Sequence, residues 1–311
     1  MSCTEGQKAS PCVLDICLHS ALCFRCQAAA ATASMMNAAI ARGVKYVVGD
    51  VGEILLDSDK VRGIRTSGGQ DITADKTVLA TGAWTSYILT TVEDELQIAD
   101  KDRVEIQATA AAVGVVHYKM SADEMNQLSE MPVVVYGEEG EVIPPPKENQ
   151  LLKYTNANTF TNIVTTNSGH KISVPQADQH LVPESLKKET RAIMTSQVMP
   201  TFAEKTPDYW RLCWDARTPT QDWLLTQHPH DKLKNLYLAV GGSFHGYKFL
   251  PVIGKYMVNV LNGTGNGAEK DKAFGWKDMN SNWRGAHEKT QPKRDLQDLI
   301  KQSEMVDSGK P

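Results

Sequence analysis

The chain has 311 residues, enough to bury a large core as one elaborate domain or two ordinary ones. Hydrophobic residues make up 41% and charged residues 23%, with a formal net charge of -4, a composition that fits a soluble globular protein and carries no nucleic-acid footprint. The longest apolar stretches, such as Ala110–Tyr118, stop well short of the roughly 20 residues that span a bilayer, so no membrane partner is expected.

The N-terminal patch Val13–Phe24 is interrupted by Asp15 and His19 and does not read as a secretory signal, which makes the cytoplasm the expected location. Cys3, Cys12, Cys17, Cys23 and Cys26 crowd this region, and Cys213 stands alone in the rest of the chain. Cys23-x-x-Cys26 is the spacing of a redox or metal pair, but no second pair or His-x-x-x-His follows, and no metal site is assigned. Residues 1–26 are read as an atypical cysteine-rich extension.

From Gln27 to Arg42, strong helix formers with Met35, Met36, Ala39 and Ile40 at helical spacing predict a helix closed by Gly43. Val44–Val48 is short and β-branched and reads as a strand. GEILLD, VRGIRT and DKTVLAT then predict a small β-meander, with the strand at Thr77–Ala80 handing over to a helix at Thr81-Gly82-Ala83-Trp84. Strands are expected at Thr109–Tyr118, Pro132–Tyr136, Gln150–Tyr154 and Thr161–Thr166, and an amphipathic helix at Pro183–Met199. Strands return at Tyr209–Asp215 and Asn235–Val240. In the segment that follows, Leu250, Ile253, Met257, Val260 and Leu261 share one helical face, Pro251 suits the first turn and Asn262-Gly263 a stop. Beyond Gly263 the chain turns polar, with Trp276 and Trp283 as candidates for docking and an end expected to fray.

GGSFHGYK, Gly241–Lys248, precedes this last helix. A helix start carries partial positive charge, Lys248 adds a full one, and glycines admit close backbone approach, so the place suits an anion or a flat ligand. On its own the pattern equally suits a plain strand-to-helix turn.

Read together, Cys213-Trp214-Asp215-Ala216 with Thr218-Pro219, His228-Pro229 and LYLAVGGSFHGYKFLPVIGKYMVNVLNG resemble the C-terminal half of flavin-dependent amine oxidases of the sarcosine oxidase and fructosyl amino acid oxidase type. TVLATGAW, Thr77–Trp84, resembles the strand-turn closing the FAD-binding core of that family, and GVKYVVGDVGEI, Gly43–Ile54, the strand beside the adenine. The resemblance implies an α/β (α+β) fold: a partial FAD-binding Rossmann-like domain, residues 27–102 and 202–263, with an inserted sheet-rich substrate domain, 103–201, and a polar tail, 264–311. It implies FAD as cofactor, attached covalently through Cys213, and contacts from Val51, Thr81, Gly82, Trp84, Gly241, Gly242, Ser243 and Lys248. It further implies that Lys248 receives a substrate carboxylate, that His245 faces flavin and substrate, and that Lys153 promotes electron transfer to oxygen. The partners expected are a small amino-acid-derived secondary amine and oxygen, acting on a monomer, with imine and hydrogen peroxide as products.

The family opens on a strand, a G-x-G-x-x-G turn and a helix, and no such unit is read here; Gly263-Thr264-Gly265-Asn266-Gly267 follows a helix and lacks the last glycine at the right spacing. The alternative expectation is therefore a truncated, non-catalytic relative that cannot bind FAD.

Overall fold

The computed structural model describes residues 28–128, 130–137, 139–278 and 292–307. The cysteine-rich extension, including Cys23 and Cys26, and Trp283 lie outside the described residues.

In chain order the strands are β1 (Val51–Leu56), β2 (Val61–Thr66), β3 (Asp71–Thr73), β4 (Thr77–Leu79), β5 (Thr109–Lys119), β6 (Val134–Tyr136), β7 (Gly140–Ile143), β8 (Leu151–Asn156), β9 (Ile163–Thr165), β10 (Lys171–Ser173), β11 (Tyr209–Arg217), β12 (Leu224–Gln227) and β13 (Leu236–Val240). The α-helices are α1 (Ala28–Ala41), α2 (Thr85–Glu95), α3 (Val104–Gln107), α4 (Ala122–Gln127), α5 (Glu184–Ile193), α6 (Leu250–Leu261), α7 (Ala268–Phe274) and α8 (Leu296–Asp307). Helices and sheets are mixed throughout, as an α/β fold requires.

Two compact units divide these elements. The described part of the first is Val113–Asn158 with Gln179–Leu212; the second takes the residues up to Ala112, Thr159–Asp178 and everything from Cys213 on. The first is built on the sheet β11-β5-β8-β7-β6. One face of it buries Val116, Tyr118, Leu152 and Tyr154 together with Met194 and Phe202. Helix α5 supplies Leu186, fully buried, which lies against Gly114: a Cβ there would come within 3.1 Å of it. The predicted helix continues past α5 as a wide π-type turn, Met194–Val198.

In the second unit the sheet β12-β13-β4 carries the core. Strand β13 pairs antiparallel with β12 and parallel with β4, the parallel pair being the Rossmann-like element. Leu79, Leu89, Val92, Ala216, Leu224, Leu236, Leu238 and Val240 bury together, and Trp276 packs against them, as expected. Asn235 fastens this sheet to its neighbours: its side chain accepts from Val61 N at 2.8 Å and donates to the Asp75 carbonyl, while its own carbonyl accepts from Thr77 N. Helix α6 runs where the apolar periodicity places it, with Ile253, Tyr256, Met257, Val260 and Leu261 against Leu225 and Tyr237.

Two expectations need correction. Val44–Val48 forms no strand: it has no ladder partner among the described residues, and Val44, Tyr46, Val47 and Val48 are 53%, 61%, 51% and 83% exposed. A β-branched run becomes a strand only when a neighbour takes its backbone groups. Of the predicted meander, β1 and β2 share a sheet, whose third strand is the unpredicted β3, while β4 leaves it to pair with β13. Helix α1 does form, but buries none of its residues, and it is tied down by Tyr247 Oη, which donates to the Ala28 carbonyl at 2.7 Å. In the described part of the polar tail, α8 buries Leu296 and Leu299.

A charged group sits inside the second unit. Glu93 is 1% exposed, accepts from Val104 N at 2.8 Å and lies 3.8 Å from Arg103 Nη1. Burial pushes its carboxyl up to about 7 from 4.5, overriding the hydrogen bond and the Arg103 charge that pull it down. A folded value above the unfolded one means that the folded state holds the proton more tightly, so this stabilisation is complete below pH 4.5 and is lost as pH rises through 7. Glu93→Gln removes that titration. In urea unfolding, the stability of wild type relative to this variant is expected to fall by up to about 3 kcal/mol between pH 4.5 and 8; a pH-independent difference would show that Glu93 does not titrate in this range.

Candidate functional site

Strand β11 alternates its side chains, placing Cys213, Asp215 and Arg217 on one face. Cys213 is a free, half-buried thiol. Two residues on, Asp215 accepts hydrogen bonds from Ala216 N at 2.8 Å and from Phe244 N at 2.7 Å, so its carboxylate reaches into the Gly241–Lys248 loop. The clasp is completed by Ser243: its N–H donates to the Ala216 carbonyl at 3.1 Å and its hydroxyl accepts from Thr218 N at 3.2 Å.

This grip holds a strained backbone. Ser243 and Phe244 have φ of 49° and 67°, left-handed values that cost a non-glycine residue roughly 1–2 kcal/mol each. Gly241, at φ 90°, could take no side chain, since a Cβ would lie 2.7 Å from Thr218 Cγ2. At Gly242 a Cβ would lie 2.8 Å from the Asp215 carboxylate. The loop continues as a tight 3-10 turn, Gly246–Phe249, so α6 begins at Leu250, two residues after Lys248.

His245 and Lys248 are exposed on this loop. Partial desolvation and then the Lys248 charge hold the His245 imidazole below its ordinary value, while the Gln221 carbonyl and Asp215 pull the other way. The ring is therefore neutral at pH 7. Burial raises Asp215, opposed by its two amide donors. Among the described residues no carboxylate pairs with Lys248, whose ammonium lies 5.4 Å from the Phe249 ring centre.

The other predicted positions stand apart in sequence. Val51 opens β1, opposite Thr66. Thr81 precedes a 3-10 turn, Gly82–Trp84, and its hydroxyl lies 2.9 Å from Thr85 Oγ1; Gly82 has φ 51° and Trp84 is 41% exposed. These and the β11 residues from Cys213 on belong to the second unit; Lys153 belongs to the first. It sits on β8 directly across from His117 on β5. His117 stacks on Tyr209 with ring centres 4.0 Å apart, and burial, then Lys153, Arg211 and His180, push it down to about 4.

Sequence reasoning assigned no role to Asp215 or to the Ser243 hydroxyl as a clasp. The signal available was strand alternation, which puts Asp215 on the same face as Cys213.

An amide in place of the carboxylate keeps one acceptor and turns an NH₂ toward the other backbone N–H. Asp215→Asn is therefore expected to cost about 1–3 kcal/mol in urea unfolding and to move the His245 titration, followed by NMR, to lower pH. An unchanged stability would show that the clasp does not hold the loop.

A family model described as FAD dependent oxidoreductase (DAO) matches residues 5–260. L-saccharopine oxidase of Schizosaccharomyces pombe is 23% identical over 259 residues, covering 78% of this chain and 54% of that protein. Amino acid oxidase fsqB of Aspergillus fumigatus is 24% identical over 279 residues, covering 72% and 54%. The chain thus spans about half the length of these curated relatives. Among solved structures, a modified fructosyl peptide oxidase from Aspergillus nidulans superposes with a TM-score of 0.71 at 26% identity, covering 87% of this chain and 62% of that one. Fructosamine oxidase (Amadoriase II) from Aspergillus fumigatus shares the fold, with a TM-score of 0.70 at 23% identity over 87% and 60%.

Proposed function

The chain belongs to the DAO family of FAD dependent oxidoreductases, and on that premise we propose that it acts as an FAD-dependent oxidase on the carbon–nitrogen bond of a secondary-amine amino acid. The reading draws on relatives named as oxidases of saccharopine and of fructosyl peptides. The observation that carries it is one arrangement: a free thiol on β11 stands two residues before the carboxylate that clasps the loop bearing His245 and Lys248. Among the described residues no helix is long and apolar enough to cross a membrane.

The residues present fit the ring end of a flavin. Cys213 is reduced and half-buried, free to form a thioether, and Lys248 is a cation without a carboxylate partner among the described residues. Cys213 would hold the group covalently, with Gly241, Gly242, Ser243 and Lys248 near its ring and Val51, Thr81, Gly82 and Trp84 as further contacts. A flavin held there would supply a two-electron acceptor for the C–H bond beside the nitrogen, and with dioxygen as final acceptor the products would be imine and hydrogen peroxide.

The protein's share is placement and charge. Lys248 receives the substrate carboxylate and so sets which carbon is presented for oxidation. His245, neutral at pH 7, orients the amine end without adding a second positive charge that would repel it. Asp215 fixes both through the loop. Lys153 is assigned to the oxygen half-reaction, where an ammonium favours the negative charge that forms on oxygen.

Yellow colour that stays with the protein after acid precipitation is the expected result for the purified chain, and Cys213→Ser should release it; colour equally retained by the variant would move the attachment elsewhere. Lys248→Met is expected to lower kcat/KM by tenfold to a hundredfold for amines carrying a carboxylate, the loss of one charge-assisted bond at about 1.5–3 kcal/mol. Amines whose carboxylate is esterified should show little change. An equal loss for both would remove Lys248 from carboxylate recognition.

A further inference from the structure

Two buried arginines of the second unit are treated in opposite ways. Arg103, 3% exposed, is surrounded by acceptors: Nη2 donates to Asp94, Nε donates to the Ile98 carbonyl at 3.2 Å, Nη1 lies 3.8 Å from Glu93, and Asp100 is at the 4.0 Å limit. This is a structural guanidinium, compensated by the fold itself. Arg217 is 6% exposed and has no carboxylate within ion-pair distance among the described residues. Its Nη1 reaches Thr159 Oγ1 at 3.5 Å, the outer limit of a hydrogen bond, and its buried Nε has no partner among the described residues.

Burial lowers the affinity of Arg217 for its proton, but a guanidinium stays charged at any pH the protein meets, so the charge is left in place and unpaired. The neighbour best placed by sequence to neutralise it is Asp215, on the same strand face. Asp215 is committed elsewhere, one oxygen to Ala216 N and the other to Phe244 N. Thr159 itself is held firmly: the next residue, Phe160, exchanges backbone hydrogen bonds with Ala112 at 2.8 and 3.0 Å and meets Trp214 edge-on at 5.9 Å. A hydroxyl on held backbone beside a buried guanidinium with no carboxylate partner among the described residues offers the elements from which oxyanion sites are made.

We propose that Arg217, with the Thr159 hydroxyl, is a receptor for a small-molecule oxyanion. A carboxylate matches its planar fork best, and a phosphate shares the same chemistry. The site needs neither flavin nor Lys248, so it stands or falls apart from the oxidase reading.

Thermal unfolding of the full chain, in buffers of equal ionic strength made up with chloride, succinate or phosphate, tests this. Succinate is expected to raise the Tm saturably over chloride. Arg217→Met should abolish that rise, and Arg217→Lys, which keeps the charge without the fork, should weaken the apparent affinity at least tenfold. A response to phosphate alone, lost in Arg217→Met, keeps the receptor and changes its ligand class. No Tm response to either anion, or a response in Arg217→Met equal to wild type, overturns the proposal.

Discussion

The Asp215 carboxylate is the constraint on which the candidate site depends. It bridges 29 residues of sequence to fix the Phe244 amide, and through it two consecutive left-handed residues that an unrestrained loop would avoid. The cost of that conformation is offset by three hydrogen bonds made to one strand end: Phe244 N to Asp215, Ser243 N to Ala216 and Thr218 N to the Ser243 hydroxyl. With the loop so fixed, His245 and Lys248 are carried on backbone that cannot relax. Preorganisation of this kind is worth most where charge recognition must happen without reorganising the protein.

Charge burial links the two arginines to the same logic. Around Arg103 the fold spends carboxylates to bring α2 and the segment before α3 together, and one of them, Glu93, is so desolvated that its proton affinity rises toward neutrality. Around Arg217 no such compensation exists among the described residues, although the strand offers Asp215 two positions away. The site thus uses the nearer acid for the loop and leaves the cation open. A purely structural arginine at this position would be replaced by an apolar residue without loss, and often with gain.

Much of this was legible in the sequence wherever the pattern is local. Helix α6 follows from apolar spacing, Pro251 and Asn262-Gly263, and β5 and β13 from continuous apolar runs, because each depends on residues within a few positions of one another. The short strands β3, β7, β10 and β12 escaped, since each has only three or four residues and takes its identity from a partner across a hairpin. Val44–Val48 erred the other way: its composition is that of a strand, but no described strand completes it. The candidate site shows the same division. Cys213, His245 and Lys248 stand out as residues, whereas Asp215 and Arg217 acquire meaning only through contacts with Phe244 and Thr159 that no spacing rule encodes.

The glycines of GGSFHG illustrate how a motif can be right in place and different in cause. Their spacing suggests backbone kept bare for a ligand, yet the space beside Gly241 and Gly242 is filled from within, by Thr218 and by the Asp215 carboxylate. The bare backbone serves the clasp. Side chains capable of chemistry, His245 and Lys248, are the ones left exposed, while Ser243 is buried and hydrogen-bonded inward. Inward residues therefore set the loop's shape and outward ones its chemistry. A change at Gly242 would act on the exposed pair through Asp215, because the carboxylate it displaces is the one that holds Phe244, the residue immediately before His245.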